Sequence, residues 1–441
     1  MKFNRALSFA LISNMIFASF SHAISKELQD LVTLETKSNA VTTRSDKEVM
    51  VYHYDIPMSL VEADIAKRAP QKFVDSLVHE EKGVKYLRWI INPEDTKWWQ
   101  EIAGFLKDNG ITPIKKVYYK GYMTASRSYI IVDPVSKAEF SFKGSTDKTG
   151  GFWRDKHQDW DDGKQIRMMT DFVDQQLAKQ PKLYNIVLLD EPLAFGIETK
   201  NASGEVVIDQ GMIIRSYDTL TNSGKTYVPG FSIMHEEKGR ELARLNGSNN
   251  PAEFWNEHYN KPLARAIAEF FALTGMTYDS PHSQNFLVEL DEKMRPTGKI
   301  VLRDYGDTYL NEEFFEKVKR TDILKAWEQS NLLKGFTQVG VGILHGNTAP
   351  SWMPLETYNK WGVDFFQEFE KEFKIQTGVE FVYKNAPSYR TKDKEGKPIV
   401  DRYRNKQYVL ALGAGKKFLD LAEKGQQRDH MTRVCSRVFS F

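Results

Sequence analysis

The stretch that decides the reading runs His282-Ser283-Gln284-Asn285-Phe286-Leu287-Val288-Glu289-Leu290, continues through a polar segment from Asp291 to Gly298, and ends Lys299-Ile300-Val301-Leu302-Arg303-Asp304-Tyr305-Gly306-Asp307. Two apolar runs around a turn containing Pro296 and Gly298 form the pattern of a β-hairpin. A hairpin symmetric about this turn has its centre between Met294 and Arg295, which sets Asn285 opposite Asp304 at one end. An amide oxygen and a carboxylate meeting at a strand end, beside the loop residue His282, offer the oxygen ligands that Mg2+ takes. Asn285 and Asp304 are therefore the candidate metal ligands. An ordinary surface hairpin with polar ends fits the spacing equally well.

Outward from the hairpin the chain has two textures. Strand-like runs dominate from about Ile114: Lys116 to Tyr119, Ser128 to Val132, Ala138 to Lys143, Tyr184 to Leu189, Glu205 to Ile208 and Met212 to Tyr217, interrupted by a helical stretch around Gln165 to Gln180. Beyond Pro251 the pattern is helical. Leu263, Ile267, Phe270 and Phe271 share one face, Gly275 is placed as a stop, and further helices are expected at about Glu312 to Ser330 and Val363 to Phe373. Residues 24–113 mix helices at Ser59 to Lys67 and Thr96 to Asn109 with a strand at Val49 to Tyr54. The expected fold is α+β. A mixed region (24–113) precedes a β-rich lobe (114–217), and a mainly helical lobe (218–441) carries the hairpin 285–304 near the join. That order is the coarse layout of kinase-like nucleotide-binding folds.

Met1 to Ala23 reads as a cleavable leader: Lys2 and Arg5, an apolar run from Ala6 to Phe20, then Ser21-His22-Ala23. The run is about 15 residues, short of the ~20 a permanent span needs. Cleavage after Ala23 is expected to leave a periplasmic or secreted protein with no membrane attachment. Cys435 is the single cysteine, so no internal disulfide forms, and a net charge of +2 gives no general attraction to nucleic acid.

A second motif follows a predicted strand: Phe142-Lys143-Gly144-Ser145-Thr146-Asp147-Lys148-Thr149-Gly150-Gly151, with Arg154 three residues on. Small residues let backbone N–H groups approach a phosphate, hydroxyls add donors, and Lys and Arg neutralise charge. A solvated turn has the same composition. As a phosphate loop it sends Lys143 into the cleft between the β-rich lobe and the hairpin.

Together these residues resemble the NRPS-independent siderophore synthetases (the IucA/IucC family). Its ATP site contains a His-x-Gln-Asn segment leading into a strand and a later Leu-Arg-Asp, which here read His282-Ser283-Gln284-Asn285 and Leu302-Arg303-Asp304. The resemblance implies ATP and Mg2+ as cofactors. His282 and Asn285 then contact ATP and its metal, and Asp304 completes the metal site. Lys143, Ser145, Thr146 and Arg154 line the phosphates, and Lys143, Arg154 and His282 take part in catalysis. Arg215 corresponds to an Arg that follows the strand linking the two ATP-site lobes. The implied activity is adenylation of a carboxylate for ligation to an amine or alcohol, with a nucleotide and an unidentified acceptor as partners. The chain departs from the family in lacking its amino-terminal His-Pro-rich segment, in being shorter, and in carrying a leader where the family works in the cytoplasm.

Two other functions stay open. One is an exported kinase-like phosphotransferase or nucleotidyl transferase effector using the same metal pair, with Asp279 as base. Kinases place that base five residues before the metal-binding Asn, where this chain has Ser280. The other is a non-catalytic secreted binding protein that keeps the fold.

Overall fold

From residue 49 to residue 216, alternation of apolar and polar side chains builds nine strands of a single sheet. They are β1 (Val49–Pro57), β2 (Glu62–Ile65), β3 (Val78–Glu81), β4 (Val84–Ile90), β5 (Lys116–Met123), β6 (Ser128–Val132), β7 (Glu139–Gly144), β9 (Leu193–Lys200) and β10 (Val206–Ser216). Their order across the sheet is β2-β9-β10-β7-β6-β5-β1-β4-β3, with every pairing antiparallel. The short strand β8 (Ile186–Leu188) leaves this sheet. It pairs in parallel with β14 (Pro296–Leu302) in a second sheet of order β11-β13-β14-β8, where β11 is Thr226–Pro229 and β13 is Phe286–Leu290. Beside it, β12 (Met276–Tyr278) pairs with β15 (Thr308–Asn311). This computed structural model describes residues 24–38, 45–124, 127–148, 155–180, 182–279, 281–343, 349–380, 382–385, 404–409, 418–420 and 423. The leader at 1–23 lies outside them.

Four helices fix how the sheets meet. They are α1 (Lys26–Lys37), α2 (Trp160–Lys179), α3 (Lys261–Thr274) and α4 (Leu355–Thr377). On β7 and β10, Phe140, Phe142, Met212 and Ile214 point into one core, while Trp160 and Ile166 of α2 cover Ile213 on the opposite face. Close approach of α2 requires glycines: a Cβ on Gly196 would lie 2.2 Å from the Trp160 ring, and one on Gly211 would lie 2.1 Å from the Asp159 carbonyl oxygen. The other side of the second sheet is the main core. Phe286, Val288, Ile300 and Leu302 meet α3 and α4 there, each such side chain contributing roughly 1.5–3 kcal/mol of burial. Gly275, at φ 71°, ends α3 as its sequence position suggested. Leu28, Leu31 and Val32 of α1 share a third core with Ile130 and Val132 of the large sheet and Leu287 and Val301 of the hairpin, so α1 is wedged between the two sheets.

The architecture is α+β as expected, and several details differ. The boundary expected at 113/114 falls inside the large sheet, because β1–β4 extend the same ladder as β5–β7. Residues 59–67 form a 3-10 turn and the strand β2 rather than a helix, since pairing with Leu193–Gly196 satisfies their backbone. The strands expected at 205–208 and 212–217 are one strand, β10. The helix expected over 312–330 breaks in two, Glu312–Lys317 and Thr321–Ala326, at Lys319 with φ 61°.

The hairpin register is off by one from the symmetric expectation. Phe286 faces Leu302 and the Arg303 N–H donates to the Asn285 carbonyl (3.2 Å), so Arg303, not Asp304, is the backbone neighbour of Asn285. The turn closes early, with Met294 N–H on the Asp291 carbonyl (2.8 Å), and a bulge follows. Its register shift falls between Val288 and Leu290, with Gly298 at φ 85° and the Thr297 hydroxyl on the Glu289 carboxylate (2.8 Å).

Candidate functional site

Lys143 is the penultimate residue of β7 and faces Ile213 of β10; two residues back, Ser141 faces Arg215. Strand alternation therefore puts Lys143 and Arg215 on the face of the large sheet turned away from Phe140 and Phe142. Across the cleft, β14 ends at Leu302 and the chain turns at Asp304, a non-glycine residue with φ 67°. Its carboxylate accepts from the Lys143 ammonium at 3.2 Å, joining residues 161 positions apart. Burial alone would raise the Asp304 carboxyl, but Lys143, Arg215 and Arg127 outweigh it and hold the group well below the usual carboxylate range.

Asp307, three residues on, behaves in the opposite way. Crowding by protein and the negative charge of Asp304 push its carboxyl up to about 6, against the pull of Lys143 and Lys156, although its side chain still opens to solvent. Two neighbouring carboxylates with protonation pushed apart are the arrangement acid–base and metal sites use. Asp279, whose N–H donates to the Asp307 carbonyl (3.2 Å), adds to the same negative pole.

Facing these acids are cations that sequence reasoning missed. A backbone bridge of Thr146 N–H to Lys156 O (3.0 Å) and Lys156 N–H to Thr146 O (2.8 Å) folds the loop after β7 back on itself and brings Lys156 into the cleft. Burial, then the charges of Arg127 and Lys143, lower the Lys156 ammonium pKa. Arg127 spends one N–H on the His157 carbonyl (2.7 Å). Among the described residues no carboxylate lies within ion-pair distance of Lys156 or Arg127. Their charge is met only at longer range, by Asp162, Asp304 and Asp307 for Arg127 and by Asp307 and Asp304 for Lys156. Sequence signalled it weakly, through Lys156 lying a short loop beyond Lys143.

The other expected residues are placed as follows. Arg154 lies outside the described residues. Ser145 uses its hydroxyl on the Gln210 side-chain oxygen (2.8 Å) and accepts the Gln158 N–H (2.8 Å), and the buried Thr146 hydroxyl accepts the Lys148 N–H (3.1 Å), so both brace the loop. Arg215 is buried in an ion pair with Glu191 (2.6 Å) and reaches Asp304 through its charge. Burial and the nearby Lys156 push the His282 imidazole down to about 4, leaving it neutral at neutral pH; its Nδ1 accepts the Gln284 N–H (3.3 Å), which places the ring proton on Nε2. Asn285 is buried and its amide nitrogen has no hydrogen-bond partner among the described residues.

These donors fit a hard cation. Turning over the unpartnered Asn285 amide presents its oxygen in place of its nitrogen, and Asp304 adds a carboxylate, although the observed register sets Arg303 rather than Asp304 beside Asn285. Among the described residues there is no group of three or more His, Cys, Asp or Glu able to hold a metal. An ion here would complete its shell with amide, water and phosphate oxygens, which is how Mg2+ commonly binds.

By sequence, the chain matches no protein-family model and no curated protein. By structure, its fold is similar to that of the petrobactin biosynthesis protein AsbB from Bacillus anthracis str. Sterne, with a TM-score of 0.51 and 12% identity over 74% of this chain and 61% of that one. Aerobactin synthetase IucC from a hypervirulent pathotype of Klebsiella pneumoniae aligns with a TM-score of 0.48 and 10% identity, over 76% of this chain and 60% of that one. The ATP-bound aerobactin synthetase IucA from the same source aligns at 0.45 and 13%, over 65% and 54%. The chain spans less than two thirds of the length of each of these proteins.

Proposed function

We propose that the cleft binds a magnesium nucleotide and that the protein is an ATP-dependent ligase that activates a carboxylate. The observation that carries this is the charge arrangement: Lys143, Lys156 and Arg127 converge on one wall, the last two lacking ion-pair partners among the described residues, opposite Asp304, Asp307 and the unpartnered amide of Asn285. Cations take phosphate oxygens, and Asn285 and Asp304 take the accompanying metal, which leaves Asp307 for proton transfer. The resemblance of His282-Ser283-Gln284-Asn285 and Leu302-Arg303-Asp304 to the siderophore synthetases, and a fold similar to a petrobactin biosynthesis protein, support ligase chemistry.

In this reading a carboxylate oxygen of the substrate attacks the α-phosphorus of ATP. The bond from the α-phosphorus to the bridging oxygen breaks, and pyrophosphate leaves. An amine or alcohol then attacks the acyl carbon and AMP leaves. Bound metal would neutralise phosphate charge. Lys143, Lys156 and Arg127 stabilise the charge that collects on the leaving pyrophosphate. His282, neutral and beside Lys156, adds no further charge to this wall, and Asp307 accepts the proton of the incoming amine or alcohol. Arg215, held by Glu191, keeps Asp304 ionised from behind. Export and removal of residues 1–23 belong to the same proposal, and mass spectrometry of the processed protein tests them.

Product analysis tests the reaction class. Incubation with ATP, Mg2+ and a panel of carboxylates and amines should release AMP and pyrophosphate. Release of ADP instead would point to phosphoryl transfer, and no nucleotide turnover with any of them would leave a binding protein.

A further inference from the structure

The helix α1 begins the described chain, yet one of its side chains reaches the hairpin beside the candidate site. Glu35 is fully buried, and its carboxylate accepts from the Arg303 guanidinium at 2.6 Å across 268 residues of sequence. Arg303 immediately precedes Asp304. Its Nε–H donates to the Gln284 carbonyl (3.0 Å), and its backbone N–H donates to the Asn285 carbonyl (3.2 Å). One side chain thus grips the segment 282–285 and the segment leading into Asp304, and the buried carboxylate on α1 fixes that side chain. The helix itself is anchored independently: Leu28, Leu31 and Val32 lie between the sheets, Glu27 accepts the Gly224 N–H (2.9 Å), and the Leu34 carbonyl accepts from Ser232 (3.1 Å).

We propose that Glu35 is a positioning residue: through Arg303 it sets the spacing between Asn285 and Asp304, so that the metal-binding geometry of the cleft is completed by the amino-terminal helix. This inference rests on the nucleotide-site reading for its functional meaning, while the geometry it invokes stands apart from any ligand.

Loss of a single partner from a buried ion pair leaves a charge unpaired and risks unfolding, whereas exchanging both partners for apolar residues of similar volume is often neutral. The test therefore uses the full processed chain with Glu35→Met and Arg303→Met together, beside Glu35→Gln. The first arm needs no ligand. Hydrogen exchange of peptides covering 282–289 and 300–307 should be at least tenfold faster in the double variant, with the thermal midpoint within a few degrees of wild type and α3 protected as before. Unchanged protection in those two peptides overturns the proposal. The second arm titrates Mn2+ with a non-hydrolysable ATP analogue. Metal affinity should fall at least tenfold in both variants, while affinity for the analogue without metal changes less than twofold. Equal losses of both affinities would mark Glu35 as merely structural. If the wild-type protein binds neither probe, the nucleotide-site reading fails, and the exchange arm alone decides the positioning claim.

Discussion

Asp307→Asn should make the protein more stable at neutral pH and leave it unchanged in acid. The native carboxyl is pushed up to about 6 from an ordinary value of 3.8. A carboxyl that holds its proton more tightly when folded favours the native state while protonated. That contribution is fully present below about pH 4 and is lost as pH rises toward 6. Taken in full, at about 1.36 kcal/mol per pH unit, ionised Asp307 would cost about 3 kcal/mol above pH 6. The side chain opens to solvent, and screening reduces this to on the order of 1 kcal/mol. Asn cannot ionise, so the variant escapes the cost. Urea unfolding followed by tryptophan fluorescence at pH 3.8 and pH 7.5 should give coincident curves at the lower pH and a higher midpoint for the variant at the upper one. A difference that is the same at both pH values, or a variant less stable at pH 7.5, would refute the claim that Asp304 and Asp307 crowd each other.

Lys143→Ala should weaken nucleotide binding at least tenfold in a calorimetric titration while costing only about 1 kcal/mol of stability, because Arg215 and Arg127 still compensate Asp304; equal affinity would remove Lys143 from the site. Lys156→Ala should flatten the dependence of nucleotide affinity on salt, and a slope equal to wild type would place its charge away from the phosphates. Gly196→Ala forces a methyl against the Trp160 ring, a contact of 2.2 Å before relaxation, and overpacking of this kind costs typically 1–3 kcal/mol; an unchanged thermal midpoint would show that α2 is free to shift. Asn311→Ala removes the side-chain cap on the Phe314 N–H (3.0 Å) of the helix Glu312–Lys317 and should lower stability by about 1 kcal/mol, measured in the same unfolding assay.

Periodicity alone made the α+β class, the hairpin and the glycine stop of α3 legible, because each follows from local side-chain pattern. Long-range pairing was not. Nothing between residues 49 and 90 says that those strands extend the ladder of 116–144, and the edge strand β2 reads locally as helix until β9 is available to pair with it. The hairpin register failed for a definite reason: a symmetric turn leaves out the bulge opposite Glu289, which Gly298 and Thr297 absorb. The meeting of Lys143 and Asp304 was accessible from chemistry, since a strand ending in Lys and a strand ending in Asp were both marked. Lys156 and Arg127 carry no motif, and only the fold of the loop around Thr146 brings Lys156 forward. Asp307 was within reach, because it shares a tight loop with Asp304, but its unusual protonation depends on charges from three other segments. Glu35 lies so far from Arg303 in sequence that only the packing of α1 reveals the pair.

The central claim is that Asp304 belongs to a metal-dependent nucleotide site. The most direct measurement is calorimetric titration of ATP into wild-type protein and Asp304→Asn, each with Mg2+ and with EDTA, accompanied by thermal midpoints of the free proteins. Wild type should bind at least tenfold more tightly with Mg2+ than with EDTA, and Asp304→Asn should abolish that metal dependence without a large fall in midpoint. Wild-type affinity indifferent to Mg2+, or an Asp304→Asn protein that unfolds many degrees early while its surviving fraction still responds to the metal, would make Asp304 a structural partner of Lys143 and contradict the assignment.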